Sequence, residues 1–488
     1  MVGNGKGRNR RTGALLPLLL VILGLVSLAM PEAAESGVAT AWVRSYNAGV
    51  ANLGRGGINP GTARAMVVDG QGNIYVAGSS YKGNISYATI KYGPDGRRLW
   101  LRHYRPGRDP SAMSLDGQGN VCITGSYWFV SWLGTGIAYY VTVKYNPEGK
   151  RLWDRYYHSP ETPYNPSWDE ARAMAVDGMG NILVTGESST LSTHYGYLTV
   201  KYGPEGRRLW LRRYPYKAGY SDGAAAIAVD SQGNAYVTGT LDGERGLGGK
   251  NYGTIKYSPK GRLLWIQSYN GPANGDDYAQ AMAVDAQANV YVTGRSYSGY
   301  LLGSACATLK YDTNGQLLWE RRSEWPEGGS IYVKALVVDQ QGNSYVTGSA
   351  VKKEGIDSGY DFATVKYSPD GDELWVRSYN GPESGHDFAQ AMALDAQGNV
   401  YVSGESCSNA NSEYATVKYS PEGELLWVMR YGSKENQYNS PAAIAVDGQG
   451  HVYVTGTSVK KTGRSGYPID SNSYYVTIKY LQTPRNGR

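Results

Sequence analysis

The chain has 488 residues, 48 Lys and Arg against 42 Asp and Glu, and 65 glycines and 43 tyrosines beside only 3 phenylalanines. Its formal charge of +6 is concentrated at the start, where Lys6, Arg8, Arg10 and Arg11 precede an uncharged apolar run from Ala14 to Ala29. Without residues 1–29 the balance is 44 basic to 42 acidic residues, which removes any electrostatic case for nucleic acid. The Tyr, Val, Thr and Gly bias favours short strands joined by tight turns.

Residues 1–29 have the charged, apolar and small-residue order of a secretory signal, with Ser27-Leu28-Ala29 as the expected cleavage site. An uncleaved anchor is the competing reading, although the run is short for a span of about 20 residues and contains Pro17 and Gly24. The expectation is an exported protein: secreted, periplasmic or held at the cell surface. Residues 30–40 read as a linker. The three cysteines, Cys122, Cys306 and Cys407, are too few and too scattered for a disulfide framework and read as small apolar residues.

From there one phrase returns eight times: an Ala-rich strand ending in Asp, a Gly-Asn turn, then Tyr-Val-Thr-Gly. The Asp positions are 69, 116, 177, 230, 285, 339, 395 and 447, a mean spacing of 54 residues, which suits a four-stranded blade with loops. In copy 7 the spacing predicts strand A over 391–395, B over 400–404, C over 414–419 and D over 425–431. Ser420-Pro421-Glu422-Gly423 turns C into D, with Pro presetting φ and Gly free to be left-handed. In the A–B hairpins Ala288 replaces Gly and His451 replaces Asn, so those two turns are expected to be looser.

Strand D carries a tryptophan at 100, 153, 210, 265, 319, 375 and 427, one short of the number of copies. The missing strand lies at the other end of the chain, where Ala41-Trp42-Val43-Arg44-Ser45-Tyr46 matches Leu374-Trp375-Val376-Arg377-Ser378-Tyr379. The expected fold is therefore all-β: an eight-bladed propeller over 41–480, closed by the N-terminal strand D and followed by a tail at 481–488. Closure removes the edge strands an open array would expose.

The phrase Asp-x-x-Gly-Asn-x-Tyr-Val-Thr-Gly, with Thr-x-Lys-Tyr and Pro-Asp/Glu-Gly-x-x-Leu-Trp, resembles the bacterial and archaeal SBBP β-propeller repeat. The resemblance covers about residues 41–480 and implies an exported or surface protein without implying an activity. That family is named for seven blades, and this chain departs from it in having eight copies. Residues 69–78 also look like part of an NHL repeat, and Gly-x-x-Leu-Trp is similar to the docking motif of quinoprotein propellers. The adjacent cysteines of quinoprotein alcohol dehydrogenases are missing here.

Residues present in every copy, such as the Lys of Thr-x-Lys-Tyr, read as scaffold that pairs with the repeated Asp or nearby carbonyls. The exceptions carry the functional expectation. The A–B and C–D turns are short and uniform, so the variable B–C and D–A connections share the other face. Trp128, Trp132, Trp168 and Trp325 fall in those connections, placed either to stack on a ligand or to cover loop surface. Eight residues before the repeated Asp stand Asp169, Asp222, Asp277 and Asp387, where the other copies have Gly61, Arg108, Ile331 and Asn439. At the start of the innermost strand these acids are expected to approach the channel mouth, where a hard cation such as Ca²⁺ suits converging carboxylates. The alternative is that each caps a turn. No catalytic residue or cofactor is assigned. The expected function is a noncatalytic scaffold binding an extracellular protein or glycan through the variable face, touching membrane only if the N-terminal segment is retained. The alternative is an enzyme acting on an extracellular polysaccharide through acids and aromatics at the channel mouth.

Overall fold

The repeated Asp makes its own turn. In copy 7 Asp395 Oδ1 accepts the backbone N–H of Gln397 and Asn399 at 3.0 and 2.9 Å, Oδ2 accepts Asn399 Nδ2 at 2.7 Å, and Gly398 takes φ +81°. The two turns expected to be looser make the same bonds. Ala288 adopts φ +64° and still donates to the Asp285 carbonyl at 3.0 Å, and His451 Nδ1 lies 2.8 Å from Asp447 Oδ2 in place of the amide. The substitution at 288 is met by backbone strain rather than by a lost bond.

The computed structural model describes residues 37–482 except 53–57, 83–84, 131–135, 160–166, 191–192, 215–222, 244–248, 300–302, 324–330, 352–358, 384, 409–410, 433–435 and 462–470. The chain divides into 1–35 and 36–488. The signal-like segment, Trp132, Asp222 and Trp325 lie outside the described residues.

Copy 7 forms an antiparallel sheet of Asp387–Leu394, Val400–Cys407, Ser412–Tyr419 and Leu425–Tyr431 in that order. Strand A thus begins four residues earlier than the sequence suggests. The middle strands are buried on both faces, as alternating apolar and Ser/Thr side chains allow, while the outer strand buries Trp427 and exposes Leu425. The other copies repeat this order, and a single parallel bridge between Ala138 and Trp168 links the sheets of copies 2 and 3. A small hairpin, Val50–Asn52 with Ile58–Pro60, precedes copy 1.

The first strands are Ala63–Val68, Asp109–Leu115, Ser167–Val176, Gly223–Val229, Asp277–Val284, Ile331–Val338, Asp387–Leu394 and Asn436–Val446. Each packs against the next, and Asn436–Val446 packs against Ala63–Val68. The fold is a β-propeller. Its cores lie in the seams between sheets. Met66, Ile74, Val76 and Ile90 of copy 1, for example, pack on Ala443, Tyr453 and Tyr475 of copy 8.

Each of these first strands carries a bulge. In copy 3 Ala171 pairs with Gly186 and Ala173 with Thr185, leaving Arg172 without a partner across the ladder. The bulge explains the last letter of Tyr-Val-Thr-Gly. It pushes the Glu170 carbonyl over Gly186 so closely that a Cβ there would sit 2.0 Å from the oxygen, and Gly239 meets the Gly223 carbonyl in the same way.

Successive sheets are bolted by three donors to one turn. Trp100 Nε1 and Lys91 Nζ both donate to the Pro147 carbonyl, at 2.9 and 3.1 Å, and Arg102 Nε donates to the Gly149 carbonyl at 2.7 Å. Gly149, at φ +80°, lies on the Trp100 ring, where a Cβ would be 2.8 Å from it. Where copy 5 has Thr313 for Pro, its carbonyl still accepts Trp265 and Lys256. The last sheet takes its fourth strand from the N-terminus: Val38–Asn47 pairs antiparallel with Ser471–Gln482. This N-terminal strand therefore begins inside the expected linker, and Leu481 and Gln482 belong to a strand rather than to a tail. Copy 8 consequently has no C–D turn to offer copy 7. The Gln482 side chain replaces it, accepting Lys418 Nζ at 2.6 Å and Trp427 Nε1 at 3.3 Å.

Candidate functional site

An unpaired bulge residue is free to leave the sheet, and here it turns to the channel. Arg64, Ser111, Arg172, Gln390 and Ala442, all bulged, line a cavity of about 710 Å³ with Thr62, Asp109, Glu170 and Ser440, which stand two places earlier in the chain. Trp128 and Tyr438 complete its aromatic lining. The cavity lies at the D–A ends of the strands, on the variable-loop face. A smaller pocket of about 400 Å³ adjoins it through Arg172 and is lined by Glu187 and Lys250.

Two polar clusters form one side of this mouth. In the first, the Arg108 guanidinium stacks 3.3 Å above the Trp128 ring, and Trp128 Nε1 donates to Asp109 Oδ2 at 3.3 Å. Ser79 Oγ donates to the other Asp109 oxygen at 3.2 Å. In the second, Arg172 bridges Glu170 at 2.8 Å and Glu187 at 2.5 Å, while Trp168 Nε1 donates to Glu170 at 3.0 Å. Burial pushes the Glu170 carboxyl above its usual range; Arg172 pulls it back, and the nearby Glu187 and Asp109 push it up again. The arrangement can hold a polar ligand against an indole and, at Glu170, retain a proton longer than an ordinary glutamate.

Outside the cavity lining, copies 6 and 7 carry an aromatic cluster. Tyr332 and Phe388 occupy the position that is Asp109 and Glu170 elsewhere, and with Tyr360 and His386 they form a cluster. Centroid separations are 5.7 Å for Tyr332–Tyr360, 5.0 Å for Tyr360–Phe388 and 5.9 Å for the stacked His386–Phe388 pair.

Of the residues singled out from the sequence, Trp128 lies in the cavity lining, and Trp168 reaches the mouth only through Glu170. Asp169, Asp277 and Asp387 do not reach it: all three are fully buried and outside the cavity lining. Asp277 Oδ2 accepts the Gly271 N–H at 2.7 Å and Oδ1 accepts Ser296 Oγ at 2.5 Å and the Tyr297 N–H at 3.1 Å, with Arg322 Nη1 on the same Ser296 hydroxyl at 2.6 Å. Asp169 holds the Ser159 N–H and hydroxyl beside Arg213, and Asp387 holds the Gly381 N–H beside Arg430. Burial raises all three carboxyls. They tie the D–A connection to strand A, which is the turn-capping alternative. Among the described residues no group of three or more His, Cys, Asp or Glu gathers to hold a metal.

The residues missed are the next ones along, Asp109, Glu170, Tyr332 and Phe388, together with bulged Arg64 and Arg172. Adjacent positions of a strand face opposite ways, so an offset of one residue takes Asp109 and Glu170 from the interior to the cavity lining. The eight-fold glycine was the available signal, because it marks where the bulge falls.

No protein-family model matches the chain, and no curated protein matches it. Solved structures similar to it include the WD40 domain of SCAP from fission yeast, at 10% identity over 91% of this chain and 98% of that chain with a TM-score of 0.44. Virginiamycin B lyase from Staphylococcus aureus matches at 10% identity over 74% and 95% with a TM-score of 0.40. Polysaccharide lyase Uly1 matches at 10% identity over 77% and 93% with a TM-score of 0.45. Likeness at this level carries no functional weight.

Proposed function

We propose that this protein is an exported binding scaffold of SBBP-type repeats, an eight-bladed ring closed by its N-terminal strand, whose channel mouth holds an extracellular glycan. The observation that carries the reading is the composition of the cavity of about 710 Å³: Trp128 and Tyr438 beside Asp109, Glu170 and Arg172. Sugars present an apolar C–H face that an aromatic ring covers and a rim of hydroxyls that carboxylates and guanidinium groups bind. A concave mouth of this size favours such a ligand over the flatter patch typical of protein partners. The propeller supplies rigidity, and the variable connections supply the contacts. Export rests on residues 1–29.

The test is a glycan-array screen of the protein and its Trp128→Ala variant, with titration calorimetry on the best probe. The expected result is binding that weakens at least tenfold in the variant while the melting temperature holds. Binding indifferent to Trp128, or absent across the array, overturns the reading.

One observation favours a second reading, a polysaccharide-acting enzyme. The Glu170 carboxyl is raised beside two further carboxylates, the pattern of an acid and its partner in glycoside chemistry. Release of new chain ends from a bound polymer, abolished in Glu170→Gln with binding retained, would establish it.

A further inference from the structure

We infer that the glycan bound at this mouth is an anionic polymer, gripped at two places where an exposed aromatic ring and an unpaired cation stand together. The inference rests on the glycan reading above and adds the class of sugar. It follows from asking which charges at the mouth are already spoken for. The acids are. Asp109 is held by the Trp128 indole and the Ser79 hydroxyl, with Arg108 Nε 3.9 Å away, and Glu170 and Glu187 share Arg172. Each of these carboxylates has donors of the protein's own, Arg172 serving two of them.

Two exposed cations at bulge positions are not spoken for. Arg64 and Lys334 make no hydrogen bond or ion pair among the described residues, and both are exposed. Each has an aromatic companion. Tyr438, 48% exposed, lines the same cavity as Arg64. Tyr332, 39% exposed, precedes Lys334 by two residues on the same strand, at the position whose counterparts Asp109 and Glu170 line the cavity. A pyranose ring laid on the tyrosine with its carboxylate or sulfate on the adjacent cation uses both groups, and charge-assisted bonds of this kind are the stronger ones.

The two stations stand on different copies, the first in the cavity lining and the second at the equivalent strand positions beyond it. Tyr332 and Lys334 are in copy 6, Tyr438 is in copy 8 and Arg64 in copy 1, while copy 7 stands between them with Phe388 and with Gln390, which lines the cavity. A single sugar cannot occupy both, so the ligand is a chain carrying acid groups at intervals.

The experiment is calorimetric titration of the full protein with polygalacturonate, dextran sulfate and neutral cellohexaose, repeated with Arg64→Gln, Lys334→Gln and the double variant. Melting temperatures serve as the folding control. The expected result is that polygalacturonate binds, loses about tenfold in affinity in each single variant and more in the double, and weakens as salt rises. Equal behaviour of dextran sulfate assigns the sites to anionic groups in general, and its failure to bind assigns them to carboxylates; either supports the inference. Polygalacturonate binding unchanged in the double variant overturns it. So does tighter binding of cellohexaose than of either anionic polymer, an outcome that leaves the glycan reading standing if Trp128→Ala weakens it. Absence of binding to all three probes and to the array overturns both.

Discussion

Lys144 Nζ lies 2.7 Å from the Asp116 carboxylate, and Cys122 is what lets it come so close. In six copies this position of strand B is tyrosine, whose hydroxyl takes the repeated Asp while the lysine is left over the ring. Tyr236, for instance, donates to Asp230 at 2.9 Å, with Lys256 5.0 Å from its centroid. Copies 2 and 3 have Cys122 and Leu183 instead, and there the lysine reaches the acid, Lys201 standing 2.8 Å from Asp177. Burial pushes the Asp116 and Asp177 carboxyls up, but the bonds from Lys144 and Lys201 and from the turn asparagines outweigh it and hold both below the usual range. In the tyrosine copies burial instead pulls Lys256, Lys310, Lys418 and Lys479 down.

These two ion pairs set an acid limb to the stability curve. Carboxyls with depressed folded values contribute fully above the ordinary aspartate value of 3.8 and lose that contribution as pH falls through the folded value. Asp116→Asn leaves a buried lysine without its partner, a loss of about 3 kcal/mol at pH 7. The gap in melting temperature between the variant and the parent should close as pH falls below the ordinary aspartate value of 3.8 and through the depressed folded value. A gap of constant size across that range would show that the pair is not the cause.

Cys122→Tyr converts copy 2 to the pattern of its neighbours. The incoming hydroxyl takes Asp116, Lys144 moves over the ring, and the Asp116 titration shifts upward. A carboxyl-resolved NMR titration reads this directly. An unshifted Asp116 would count against the tyrosine acting as the separator.

Gln482→Ala removes the acceptor shared by Trp427 and Lys418 and the donor to Tyr401 and Gly450. The expected cost is about 2 kcal/mol, seen as a lower denaturation midpoint with unchanged slope. Deleting Val38–Asn47 removes a whole strand and should abolish cooperative unfolding. A truncated protein that melts like the full chain would refute closure by that strand.

Asp277→Ala separates scaffold from site. It leaves the Gly271 N–H and the Ser296–Arg322 pair without their acceptor, at a cost of about 3 kcal/mol. Glycan affinity of the folded fraction should be unaltered, because this carboxylate is buried away from the mouth. A loss of affinity with unchanged stability would return the acid to the ligand.

Part of what recurs was legible before the structure: the Gly-Asn turn after the repeated Asp, the strand order, the strand-D tryptophans and the N-terminal strand that carries Trp42. Each has a local chemical reason, so each copy restates it. The Lys likewise found the carbonyls and acids expected of it. What could not be read was orientation. Asp277 and Tyr278 are neighbours in sequence, and only the bulge decides that the first caps a turn inside the sheet while the second faces outward. Gln482 was unreadable for a different reason, since it imitates a turn that the chain lacks. Strand starts such as Asp387 fell earlier than the repeat because the D–A connections differ from copy to copy.

The bulge has an evolutionary consequence. A side chain that makes no ladder contact can be exchanged without renegotiating strand register, and the glycine opposite protects the backbone geometry whatever that side chain is. Arg, Ser, Ala, Gln and Lys already occupy the position in this one chain. The channel wall is thus written in letters that mutate one at a time, and a new ligand is within reach of single codon changes that the architecture does not feel.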